Sequence, residues 1–96
     1  MAAAHNASVR RDGDALVFSG TLDRAAVPAL WAACASLSGG AARLDLSAVD
    51  RVDSAGVTLL AELADRTGAR SVDGTPAGLA ELRRAYRLGP TLDYAD

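Results

Sequence analysis

The chain has 96 residues, half of them hydrophobic, and a formal net charge of −2, which bounds it to one small domain whose modest core gains from a partner surface. The slight acidity gives no electrostatic reason to bind nucleic acid or an anionic membrane, and no apolar run approaches the roughly 20 residues that cross a bilayer. All ten basic residues are arginine, which removes Schiff-base chemistry and the P-loop lysine from consideration.

Residues 1–6 are expected to be a flexible N-terminus. They lack the basic flank and apolar stretch of a signal peptide, so a cytoplasmic chain is expected. The single histidine, His5, lies there with no Cys, Asp or Glu near it in sequence, which leaves it no partners for a metal site or a catalytic triad. Residues 7–11 and 15–19 alternate in polarity around Asp12-Gly13-Asp14, the composition of a hairpin turn, and predict two antiparallel strands.

Asp23 and Arg24 make a loose lead-in to the first helix. Val27, Leu30, Trp31, Cys34 and Leu37 recur at i, i+3, i+4, i+7 and i+10, one face of a helix that stops at Ser38-Gly39-Gly40. Pro28 fits its first turn, where a missing N–H costs little. Trp31 is placed in the core by this pattern, and the single cysteine, Cys34, reads as a small buried hydrophobe.

Residues 42–46, with Leu44 and Leu46 pointing inward, predict a further strand. A helix over 54–67 follows, closed by Gly68 as a left-handed cap. Leu59, Leu60 and Leu63 face its core side, while Thr58, Glu62, Asp65 and Arg66 form a polar stripe that is either solvated or a binding surface. Residues 70–72 form a short polar strand. Thr75 as N-cap and Pro76 at the first helical position then predict a last helix that buries Leu79, Leu82 and Tyr86. Arg83, Arg84 and Arg87 near its end either complement the helix dipole or bind carboxylates of a partner. A loose tail is expected over 91–96.

Asp53 and Ser54 stand where the central helix must begin. Its first N–H groups have no partner within the helix, and aligned peptide dipoles add about half a unit of positive charge there. A phosphate on the Ser54 hydroxyl would be welcome in that field. Either residue also serves as an ordinary N-cap, contributing roughly 1 kcal/mol. Val52-Asp53-Ser54-Ala55-Gly56 is not a nucleophile elbow, because Val52 replaces the glycine that permits the sharp turn. Asp50 and Asp53 invite an acid–base pair, but no base or apolar pocket is placed to tune them. Neither an enzyme, a metal nor a cofactor is implied.

Asp45-Leu46-Ser47, the Asp53-Ser54-Ala55-Gly56 loop and Val57-Thr58-Leu59-Leu60 together resemble the STAS family, the domains of sulfate transporters and anti-sigma-factor antagonists. Phe18-Ser19-Gly20-Thr21-Leu22-Asp23, the Pro28 to Trp31 helix and Leu79-Ala80-Glu81-Leu82 with Tyr86 and Leu88 extend the resemblance over most of the chain. These features look most like the MlaB-type members, small cytoplasmic STAS subunits of the Mla phospholipid ABC transporter. The resemblance implies an α/β fold: a STAS-like single domain over 7–90, whose mixed sheet combines an N-terminal hairpin with parallel βαβ units flanked by about three helices. It also implies a partner-binding role, with Ser54 as contact and candidate phosphoacceptor and with Asp53, Ala55, Gly56, Thr58 and Glu62 around it. The partner expected first is the transporter's ATPase subunit, which would hold the chain peripherally at the inner membrane without membrane insertion. An anti-sigma kinase that phosphorylates Ser54 is the alternative partner, and binding of a small molecule or lipid by the domain itself is a third reading.

Overall fold

In the computed structural model, residues 7–37, 41–89 and 92 are described. β1 (Ser8–Asp12) and β2 (Ala15–Leu22) form the expected hairpin, pairing antiparallel from Ser8 opposite Ser19 to Asp12 opposite Ala15. The chain then runs α1 (Val27–Leu37), β3 (Arg43–Val52), α2 (Ser54–Thr67), β4 (Ser71–Asp73) and α3 (Leu79–Tyr86). The sheet order is β1-β2-β3-β4, with β3 parallel to both β2 and β4. Both crossovers, through α1 and through α2, therefore step in the same direction across the sheet. Right-handed connections then put both helices on one face.

That face carries the core. Leu16, Phe18, Leu22, Leu44, Leu46 and Leu60 are essentially inaccessible, and burying each such side chain contributes about 1.5–3 kcal/mol. The opposite face is polar. There Arg43, at the start of β3, reaches Asp14 in the hairpin turn at 3.3 Å and Asp73 at the end of β4 at 3.2 Å, through half-exposed ion pairs of small individual worth. On the same face the hydroxyl and N–H of Ser47 donate to Asp45. These two bonds, chiefly the hydroxyl's, hold the Asp45 carboxyl below its ordinary range.

β2 and β3 run further than the sequence pattern predicts. Two register shifts let the ten residues of β3 lie beside the eight of β2. Buried positions in the second half of β3 consequently fall three apart, at Leu46, Val49 and Val52, and a period-two pattern misses them. The last helix is also corrected. Thr75 and Pro76 do not start it: Ala77 instead bridges to Arg51, and the Val52 N–H donates to the Ala77 carbonyl at 3.0 Å. Pairing with β3 thus overrides a local capping signal, and α3 begins at Leu79 behind Gly78. Gly78 has φ 89°, and a Cβ there would lie 2.6 Å from the Val52 carbonyl oxygen, so only glycine fits.

Two aromatics expected inside lie outside. Trp31 is 37% and Tyr86 41% exposed. The buried row runs from Ala26, in the turn before α1, to Leu30 and Cys34 on the helix, spaced by four, and Trp31 falls beside it. Burial pushes the Cys34 thiol up to about 11, which leaves it protonated and inert at neutral pH. Leu92, expected in a loose tail, is buried, with its N–H donating to the Gly89 carbonyl at 2.9 Å. The Leu37 side chain, the stop at 38–40, the N-terminal segment 1–6 and the rest of the tail lie outside the described residues.

Candidate functional site

The parallel strands β2 and β3 end side by side, at Leu22 and Val52, and the loops that leave them meet at one rim of the sheet. Loops at the carboxyl ends of parallel strands are the usual place for a binding site in open α/β folds. Asp53 is the hinge of this rim. It adopts an extended backbone as N-cap of α2. One carboxylate oxygen accepts the Gly56 N–H at 2.9 Å, and the other accepts the Arg24 N–H at 3.1 Å. Its own N–H donates to the Leu22 carbonyl at 3.2 Å. One side chain thus caps α2 and fastens it to the turn before α1, where Asp23 in turn accepts the Ala26 N–H.

Because Asp53 carries the cap, Ser54 is free of that duty. It is the first residue of α2 and exposed. Four residues on, the Thr58 hydroxyl donates to the Ser54 carbonyl at 2.8 Å, and Thr58 and Glu62 continue the exposed row along the helix. Ala55 is half-buried. Gly56, expected in the contact surface, is buried instead. A Cβ at Gly56 would overlap the Leu22 carbonyl, so its smallness lets α2 approach β2 rather than letting another chain approach α2.

The row from Ser54 leads to two features that sequence reasoning missed. Thr58, Glu62 and Asp65 border a cleft of about 490 Å³ whose far side includes Tyr86, Leu88 and Leu92. On the other flank of α2, the Arg66 guanidinium lies 4.8 Å from the Trp31 ring centroid and pairs with Glu62 at 3.4 Å. The only available signal was that α1 and α3 each carry an aromatic at the margin of the apolar stripe, a position that periodicity cannot assign to core or surface.

Among the described residues no group of His, Cys, Asp and Glu could hold a metal ion, and no helix is long and apolar enough to cross a membrane. A family model described as "Mlab, STAS domain" matches residues 6–92. The chain belongs to the STAS family. The four-stranded mixed sheet with three helices is the fold expected of such a domain. Among solved structures, one described as "Crystal Structure Analysis of Mglu" is similar at 30% identity and a TM-score of 0.50, over 75% of this chain and 20% of that one. This STAS domain therefore spans about a fifth of the length of that protein. Another similar structure is an uncharacterised DUF3478-family protein from Shewanella loihica PV-4 with a SpoIIAA-like fold. It has 19% identity and a TM-score of 0.35, covering 91% of this chain and 79% of that one. A search of curated proteins finds no match.

Proposed function

We propose that this STAS domain is a non-catalytic module that binds a protein partner through the surface around Ser54, with Asp53, Ala55, Thr58 and Glu62 beside it. The partner we favour is the cytoplasmic ATPase subunit of an Mla-type phospholipid ABC transporter, whose assembly or activity the domain supports. That role makes the chain cytoplasmic and peripheral to the inner membrane. The observation that carries the reading is the exposure of Ser54 as the first residue of α2 while Asp53 performs the capping. The hydroxyl is held on a fixed frame and is not consumed by the fold.

The same observation supports a second reading, an anti-sigma-factor antagonist switched by a kinase. A phosphate on Ser54 would add a charge of about −1.5 to −2 at a helix N-terminus and alter the contact directly.

Affinity purification from the native host with identification of the co-purifying chain, repeated with three Ser54 variants, tests both. Ser54→Ala should bind and fold normally. Ser54→Arg should fold but lose capture, through clash and through repulsion from the helix dipole. Ser54→Glu should behave as permanently off in an antagonist and retain binding in a transporter subunit. Full-strength capture by a folded Ser54→Arg protein would move the interface elsewhere.

A further inference from the structure

The cleft beside α2 is not explained by a surface centred on Ser54. Its floor is apolar, formed by the buried Val57, Ala64, Leu88 and Leu92 with the half-buried Ala61 and Ala69, its α2 rim carries Glu62 and Asp65, and Tyr86 stands exposed on the opposite wall. Small side chains at Ala61 and Ala69 leave room for an incoming group to reach Leu88. Glu62 is already paired with Arg66, but among the described residues Asp65 has no ion-pair partner. Arg66 and Trp31 extend the same surface across α2, and Trp, Tyr and Arg are the residues that dominate binding energy at protein interfaces.

We propose that this cleft takes a basic segment of a partner protein, seating one apolar side chain on the floor and pairing flanking Arg or Lys with Glu62 and Asp65. The proposal rests on the partner-binding reading and extends it. Ser54, Thr58 and Glu62 form one row on α2, so a single partner can cover the helix start and the cleft together. Charge complementarity selects the occupant: an acidic segment or an anionic lipid surface would meet two carboxylates at the rim.

The test uses the full chain and two helical peptides without tryptophan, one of leucine and arginine, the other of leucine and glutamate. Binding is followed by anisotropy of the labelled peptide and by emission of Trp31, the single tryptophan. The leucine–arginine peptide should bind saturably at one per chain. It should weaken by roughly tenfold in a Glu62→Gln/Asp65→Asn double variant, the scale of two rim ion pairs, and be blocked by Ala61→Arg. Its binding should also perturb Trp31 emission as Glu62 exchanges Arg66 for the peptide's cation.

Equal binding of both peptides, no binding, or binding that survives these substitutions would overturn the proposal. So would a concentration-dependent dimer abolished by Ala61→Arg, which would assign the cleft to a second copy. The outcome is separable from that of the Ser54 reading. Undiminished partner capture by the Ala61→Arg variant, whose substitution lies in the cleft and outside the Ser54 surface, overturns only the cleft, and undiminished capture by Ser54→Arg overturns only the helix start.

Discussion

Helices α2 and α3 flank the same cleft but are held in opposite ways. The start of α2 is fixed by a carboxylate that accepts two backbone N–H groups, and six of its residues are buried. α3 starts behind a left-handed glycine with no side-chain cap, ends in a left-handed arginine, and buries only Leu79. One wall of the cleft is therefore part of the core and the other is a light flap against it. Stability concentrated in α2 keeps the Ser54 surface in a fixed geometry, whereas α3 has the low local burial that permits adjustment to a partner.

The largest expected effects test this difference at two residues of the one core, Leu60 of α2 and Leu79 of α3. Leu60→Ala should cost about 2–5 kcal/mol and lower the melting temperature of the whole domain. Leu79→Ala should act more locally, raising amide hydrogen exchange in 79–86 well before global unfolding. Equal drops in melting temperature for the two variants would show that α3 is as integral to the domain as α2.

A second substitution breaks the contrast at the helix starts. Asp53→Ala removes the acceptor for both Gly56 and Arg24 and should cost about 1–2 kcal/mol, measured by urea unfolding. Because the fold persists, partner capture by this variant also reports whether a fixed helix start is needed for binding.

At the other end of α3 the expected change is smaller and of opposite sign. Arg87 has φ 57°, with its N–H and that of Leu88 closing the helix onto Arg84 and Arg83. This is the hydrogen-bond pattern in which glycine is normally found, so Arg87→Gly should raise stability by about 0.5–1 kcal/mol. A loss of stability would mean that the Arg87 side chain holds α3 by contacts that outweigh its backbone strain.

The smallest expected effect is that of Arg66→Ala. It removes the exposed pair with Glu62 and the contact over Trp31, for less than about 1 kcal/mol in total. Trp31 emission should nonetheless shift clearly. An unchanged spectrum would place the guanidinium away from the ring in solution.

Much of α2 was legible in the residues themselves. Asp53 as cap, Gly68 as left-handed terminator, and Leu59, Leu60 and Leu63 on the inner side each follow from local chemistry, and the structure has all of them. The exposure of Thr58, Glu62, Asp65 and Arg66 was legible for the same reason. By contrast, the apolar stripes of α1 and α3 were read one row too wide, which put Trp31 and Tyr86 inside. A helix that is apolar on several sides does not disclose which row meets the sheet.

By itself the sequence determined the order of strands and helices, the hairpin, the position of the Ser54 loop and the family resemblance, because turns, caps and periodicities are local interactions. Tertiary structure alone decided what depends on pairing between distant segments. The bulged register of β3 beside β2 hid the second half of that strand. The bridge from Ala77 to Arg51 delayed α3 past an inviting Thr-Pro start. The fit of Gly56 under Leu22 turned an expected contact residue into a packing residue. The cleft exists only because α2 and the chain leaving α3, far apart in sequence, approach without filling the space between them.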